Sequence, residues 1–205
     1  VDRTEWDRRY ATSELVWTAE PNRFVVAEVA ELPAGTALDL AAGEGRNAVW
    51  LAQRGWRVTA VDFSAVGLDK ARRLAADRDV ELTAIVADAT TWQPAAPFDL
   101  VLVAYLQLPP PERNAALRRA AGAVAPGGTL LVVGHDRANL DHGYGGPQDP
   151  AVLLTPDEIV ADLHGSGLVV DKAERVQRPV DTPEGPRVAI DTLVRAHRPC
   201  DGGGG

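Results

Sequence analysis

Short aliphatic and β-branched runs alternate along the chain with longer stretches whose apolar positions recur every three to four residues. The runs predict strands over residues 36–40, 57–61, 82–87, 98–103 and 129–133, and the intervening periodicity predicts helices over 45–54, 65–76 and 112–124. Leu100-Val101-Leu102-Val103 and Leu130-Leu131-Val132-Val133 are apolar without alternation, as expected of strands covered on both faces. Ser64 stands where a side-chain oxygen would cap the second helix, whose Leu68, Ala71 and Leu74/Ala75 form one apolar stripe. Upstream, Pro21 can open a helix reaching about residue 32, with Val25, Val26 and Val29 turned inward. Alternating strands and helices of this kind specify an α/β sheet.

The pattern changes after the fifth strand. Thr155-Pro156-Asp157-Glu158 is a capping box with proline in the first helical turn, and predicts a helix to about residue 164. Two further β-like runs, 168–176 and 188–195, are separated by the turn-rich segment 178–186, a connection suited to an antiparallel pair closing the sheet. Residues 135–154 are polar, glycine-rich and aperiodic, and are expected to form a lid. The expectation is therefore a single-domain, Rossmann-like doubly wound sheet of about seven strands. It is mostly parallel, with an antiparallel C-terminal strand and helices on both faces. The domain spans residues 1–197, with residues 1–32 as an N-terminal helical cap and 198–205 as a flexible tail.

Composition narrows the class. The 205 residues carry 21 basic and 29 acidic side chains, a net charge of −8, which disfavours nucleic acid as a partner because phosphate binding needs clustered Lys and Arg. No apolar stretch is long enough to span a membrane, and Asp2, Arg3, Glu5 and Asp7 at the start are foreign to a secretory signal, so a cytoplasmic location is expected. Cys200 is the only cysteine, which excludes an internal disulfide and a thiolate metal cluster. No His/Glu spacing suggests a metal site.

The densest chemical signal is Leu38-Asp39-Leu40-Ala41-Ala42-Gly43-Glu44-Gly45-Arg46-Asn47: an aspartate at a strand end, a glycine turn and a helix start. Glycine permits a sharp turn and a close ligand approach. Asp62 ends the second predicted strand 19 residues after Gly43, where a carboxylate can hold a ribose; it equally suits a turn that caps the next helix. Asp88 ends the third strand, as a ligand contact or a solvated turn aspartate. A dinucleotide would bring its pyrophosphate against Asp39 and Glu44, whereas a ligand carrying a sulfonium, an ammonium and one carboxylate suits three acids and Arg46 better.

These residues, with Val61-Asp62-Phe63-Ser64, Ala87-Asp88-Ala89, Phe98-Asp99-Leu100-Val101 and Ala125-Pro126-Gly127-Gly128-Thr129, resemble the class I S-adenosylmethionine-dependent methyltransferases over about residues 5–197. The Gly-Arg-Asn run and Trp6-Asp7-Arg8-Arg9-Tyr10 are similar to the branch holding tellurite-resistance and thiopurine-type enzymes. One departure is Ala41, where the family usually has glycine. The resemblance implies S-adenosyl-L-methionine as cofactor and S-adenosyl-L-homocysteine as product. It implies a methionine site shaped by Asp39, Gly43 and Gly45, with Ala41 and Arg46 also among the cofactor-binding residues, and a ribose on Asp62. Asp88 and the Ala89 amide would read the adenine, with Ser64 beside it and Phe63 either packing on the adenine face or anchoring the next helix as a core aromatic. Ala104 and Tyr105 would offer backbone carbonyls to the ammonium, and Trp6, Tyr10 and Trp17 would close over the cofactor or simply pack an N-terminal helix.

For the acceptor, His135 follows the fifth strand and is the candidate base; Gln107, Asp136, Asn139, His142 and Tyr144 are pocket candidates. With no basic patch or appended domain, the expected acceptor is a small molecule, whether at sulfur, selenium or tellurium, nitrogen or oxygen. The alternatives are an NAD(P)-dependent oxidoreductase, for which no hydride-relay pair is visible, and a non-catalytic cofactor-binding protein.

Overall fold

The computed structural model describes residues 3–12, 15–16 and 18–200. Its elements run α1 (Arg3–Ala11), α2 (Arg23–Val29), β1 (Thr36–Leu40), α3 (Arg46–Gln53), β2 (Arg57–Asp62), α4 (Ala65–Asp77), β3 (Thr83–Val86), β4 (Phe98–Ala104), α5 (Pro110–Gly122), β5 (Val124–His135), α6 (Asn139–His142), a 3₁₀ turn (Pro150–Val152), α7 (Pro156–Asp162), β6 (Val169–Val180) and β7 (Arg187–His197). The seven strands form one sheet in the order β3-β2-β1-β4-β5-β7-β6. All neighbours from β3 to β5 pair in parallel, while β7 runs antiparallel to both β5 and β6. The mostly parallel sheet expected from the sequence is thus the one observed.

The unalternating apolar strands divide their side chains between two cores. Leu38, Leu40, Val101, Val103, Leu130 and Val132 pack with Leu117 of α5 and Ile159 of α7. Their chain neighbours Ala37, Leu100, Leu102, Leu131 and Val133 pack on the opposite face with Val25 and Val29 of α2, Leu51 of α3 and Leu68 of α4. The central strands are therefore aliphatic at successive positions, because the two-residue period of a strand sends successive side chains to opposite faces.

Three boundaries moved for identifiable reasons. Asn22, not Pro21, begins the second helix: its side chain accepts from the Phe24 and Val25 amides as an N-cap. The strand expected at 129–133 begins at Val124, with residues 125–128 looping out between the Phe98–Val124 and Leu100–Thr129 pairs. The segment expected as a turn from residue 178 continues as strand to Val180, pairing Arg178 with Ala189 and Pro179 with Val188. β6 is an edge strand, where a proline without an N–H breaks no ladder. Elsewhere Ser64 caps α4 through the Gly67 amide and Thr155 caps α7 through the Glu158 amide, both as their sequence positions imply.

Candidate functional site

A cavity of about 520 Å³ opens at the carboxyl ends of β1, β2 and β4. It lies where the winding reverses, since β1 is flanked by β2 on one side and β4 on the other; open α/β sheets bind ligands at such points. Asp39, Ala41, Gly43, Asp62, Tyr105 and His135 all line it.

The turn after β1 is held by its neighbour. Gly43 donates its amide to one oxygen of Asp62 and Ser64 donates to the other, both at 2.8 Å. Burial raises the Asp62 pKa, with these two amides opposing and Asp7 adding to the rise. Ala41, Gly43 and Gly45 all have positive φ, of 65°, 56° and 77°. Only glycine adopts that region without strain, so Ala41 is a strained position of the turn. The two glycines do different work. A Cβ on Gly43 would approach the Tyr10 hydroxyl to 2.7 Å, at the cavity. One on Gly45 would meet Ala71 Cβ at 2.5 Å, so Gly45 serves the contact between α3 and α4 and lies outside the cavity wall.

Asp39 lies under this turn, 1% exposed, and neither carboxylate oxygen has a hydrogen-bond partner among the described residues. Its pKa is raised to about 7, first by burial and then by the Asp62 charge; the nearby Ala48 amide, which does not reach hydrogen-bond geometry, and Arg46 pull the other way. An unpaired buried carboxylate is costly and marks a place where a cation or donor completes the site.

Helix α1 covers the same end. Trp6 and Tyr10 stack at 5.4 Å and both line the cavity, and Asp7 accepts the Ser64 hydroxyl. Glu44 pairs with Lys70 at 2.8 Å and accepts the Val16 amide. Trp17 lies outside the described residues. Half-buried Phe63 also borders the cavity.

The far end is built from β4, β5, β6 and β7. Tyr105 follows Ala104 with φ of 58°; its hydroxyl donates to Asp191 at 2.8 Å and accepts from Asn22 at 3.0 Å. Arg178 Nε donates to the same Asp191 oxygen at 2.9 Å. His135 tilts against the Tyr105 ring, centroids 4.7 Å apart, with Nδ1 3.3 Å from the other Asp191 oxygen but out of line for a hydrogen bond. Burial would raise the Asp191 pKa; His135, Arg178 and Tyr105 together outweigh it and lower the value. Burial raises the Tyr105 pKa, and Asp191 adds to the rise.

Several sequence candidates stand elsewhere. Asp88 is exposed and accepts the amide and hydroxyl of Thr90, a turn-closing role, and neither it nor Ala89 lines the cavity. The Ser64 hydroxyl is engaged by α4 and Asp7. Asp136 is wholly buried and bound by Arg175, Thr192 and the Ala138 amide, while Asn139 ties Ile190 to Gly145. His142 and Tyr144 are exposed away from the cavity. The stretch expected as a lid is closed at its base by Leu154 N to His135 O at 2.9 Å and Arg137 N to Leu154 O at 2.8 Å. Its contribution to the cavity wall is His135, with Gly146 against the imidazole. Gln107 does line the cavity.

Asn22, Arg178 and Asp191 were not found from the sequence. Arg178 was hidden by the adjacent proline, which reads as a turn. Asp191 left a signal: a lone carboxylate inside Val188-Ala189-Ile190-Asp191-Thr192-Leu193 must find a partner once that strand is buried.

Residues 37–128 match the family described as a methyltransferase domain. The chain is 33% identical over 129 residues to a cypemycin N-terminal methyltransferase from a Streptomyces species, covering 61% of this chain and 52% of that protein. It is 31% identical over 147 residues to a trans-aconitate 2-methyltransferase from Azoarcus sp. (strain BH72), covering 70% and 54%. The chain thus spans about half the length of these curated relatives. The fold is similar to that of the N-methyltransferase NodS from Bradyrhizobium japonicum WM9 in complex with S-adenosyl-L-homocysteine, with a TM-score of 0.69, 18% identity, and coverage of 96% and 98%.

Proposed function

We propose that this chain, whose residues 37–128 match the methyltransferase-domain family, is a class I S-adenosylmethionine-dependent methyltransferase acting on a small molecule. The observation that carries this reading is Asp39: a buried carboxylate without a partner, beneath a glycine turn, facing a cavity of about 520 Å³. Those features fit S-adenosylmethionine. Asp39 supplies the anion its ammonium requires, Gly43 admits close backbone approach, and Asp62 keeps acceptor capacity for ribose hydroxyls after binding two amides. Phe63 packs the adenine, and Trp6 and Tyr10 exclude water from above.

When bound, the cofactor supplies an already activated methyl group. The protein's task is then alignment and the exclusion of water, and orientation of this kind contributes up to about 7–11 kcal/mol. Tyr105 and His135 form the wall against which the acceptor is set. His135, whose Nδ1 lies 3.3 Å from an Asp191 oxygen, accepts the proton of a hydroxyl or amine acceptor at its other nitrogen. A cavity of this size suits a small acceptor, and the two curated relatives are named for acceptors as different as the N-terminus of cypemycin and trans-aconitate. Within the class, the Gly-Arg-Asn run supports the tellurite-resistance and thiopurine-type branch. A nicotinamide dinucleotide would set its pyrophosphate against Asp39, Glu44 and Asp62, and the oxidoreductase alternative is set aside on that ground.

Calorimetry with S-adenosylmethionine, S-adenosylhomocysteine and NADH is the first test, followed by labelled methyl transfer to thiols, amines, phenols, carboxylic acids and chalcogen oxyanions. Binding of the two sulfur nucleosides and transfer to one acceptor class are expected. Binding of NADH alone, or cofactor binding without transfer to any member, would overturn the reading.

A further inference from the structure

The cavity is charged differently at its two ends. Under the glycine turn lie Asp39 and Asp62; around Tyr105 lie Arg46 and Arg178. Arg178 is matched by Asp191 through Nε at 2.9 Å, and its terminal nitrogens have no hydrogen bond among the described residues. Arg46 is half-buried in the wall, and its guanidinium has neither an ion pair nor a hydrogen bond among the described residues; the Tyr105 ring, 5.9 Å away, is its contact. Asp39 and Glu44 act on Arg46 only from a distance, and Glu44 is already paired with Lys70. Two guanidiniums therefore approach the same tyrosine, one over its ring and one at its hydroxyl through Asp191, with one carboxylate between them.

We propose that Arg46 and Arg178 form a clamp for a carboxylate, and that the methyl acceptor is an organic acid seated by this clamp against Tyr105 and His135. The acid's role as acceptor rests on the methyl-transfer reading; the clamp itself rests on the geometry alone. Guanidinium groups are planar forks whose spacing matches a carboxylate, and a charge-assisted pair is among the stronger polar contacts available. Burial first, and the Arg178 charge with it, lower the Arg46 pKa, while Tyr105, Asp39 and Glu44 oppose the fall without offsetting it; no carboxylate among the described residues pairs directly with the guanidinium. A neutral acceptor would leave it so, whereas an anion supplies that pairing. The clamp comes from elements far apart in sequence: Arg46 opens α3, and Arg178 projects from the extension of β6.

The methionyl carboxylate of the cofactor has the same chemistry, and the experiment separates the two sources. The full chain, saturated with S-adenosylhomocysteine, is titrated calorimetrically with benzoate against benzamide and with succinate against succinamide. At least one acid is expected to bind about tenfold or more tighter than its amide, and Arg46→Gln and Arg178→Lys are each expected to remove most of that difference. Arg46→Gln breaks no ion pair, so it keeps the test valid should Arg178→Lys unsettle Asp191. In parallel, both variants are titrated with S-adenosylhomocysteine and with 5′-methylthioadenosine, which lacks the amino-acid carboxylate. Acids that bind no better than amides, or an acid preference untouched by both variants, would overturn the proposal. So would an Arg46→Gln protein that loses affinity for S-adenosylhomocysteine alone while keeping its acid preference, because the anion is then the cofactor's own. If the unsubstituted protein fails to bind S-adenosylhomocysteine, the methyl-transfer reading falls, and the same acid–amide comparison on the free protein still decides whether the arginine pair takes a carboxylate.

Discussion

The Asp62 carboxylate accepts the Gly43 amide at 2.8 Å, which joins the end of β2 to the turn after β1. Its second oxygen accepts the Ser64 amide and so sets the start of α4. One buried side chain thus positions the glycine turn, the cap of the following helix and the floor of the cavity. Asp62→Ala is expected to weaken S-adenosylmethionine binding by about 1.5–3 kcal/mol, the range for a hydrogen bond to a charged group, and to lower the melting temperature because two buried amides lose their acceptor. Calorimetry and thermal unfolding on the same preparation measure both; unchanged affinity would remove Asp62 from the ribose site.

Asp39 gives a pH dependence of definite sign. Its pKa is about 7 in the folded protein, above the ordinary carboxylate value, so the folded state binds a proton more readily than the unfolded chain. The stability this confers is complete below about pH 4 and is lost as pH rises through about 7. Asp39→Asn is accordingly expected to melt higher than the unsubstituted protein at pH 8, with the difference shrinking toward pH 4. Cofactor affinity should move the opposite way: in the unsubstituted protein it rises between pH 6 and pH 8 as Asp39 ionises, and in Asp39→Asn it is weak throughout. Melting curves and calorimetry across that interval give the two slopes. A higher melting temperature at pH 4 than at pH 8 in Asp39→Asn relative to the unsubstituted protein would contradict the assignment.

Ala41→Gly should raise stability. At φ of 65° the alanine Cβ crowds the backbone at a cost of roughly 1–2 kcal/mol, partly offset by the greater chain entropy that glycine loses on folding. A net gain of about 1 kcal/mol, or a few degrees in melting temperature, is the expected result. Cofactor affinity measured on the same variant reports whether the Cβ also crowds the methionine end.

The glycines of the turn should separate by phenotype. Gly45→Ala places a Cβ 2.5 Å from Ala71 Cβ and 3.1 Å from its Cα, so α3 and α4 must part, and loss of the cooperative melt is expected. Gly43→Ala meets the end of the Tyr10 side chain, which can swing; the protein should stay folded with weakened cofactor binding. A folded, binding-deficient Gly45→Ala protein would show that both glycines serve the ligand.

Local chemistry determined much of this molecule by itself. Unbroken apolar runs required strands covered on both faces, Ser64 and Thr155 announced their helices, and the Asp39-to-Gly45 turn followed by Asp62 pointed to the end of the sheet where the cavity opens. Each of these features is decided within a few residues, where backbone geometry and hydrogen-bond donors leave few choices. Tertiary structure decided the rest. Gly45 was bound to be a turn glycine, but its meeting with Ala71 depends on how α4 crosses α3. His135 and Asp136 are adjacent in sequence, yet the strand's alternation sends one to the cavity and the other into a buried network with Arg175 and Thr192. Arg178 and Asp191 lie 73 and 86 residues beyond Tyr105, and only the antiparallel pairing of β6 and β7 beside β5 carries them to it. A buried charge declares in sequence that it needs a partner; which partner it finds is set by strand order and register, which no local pattern contains.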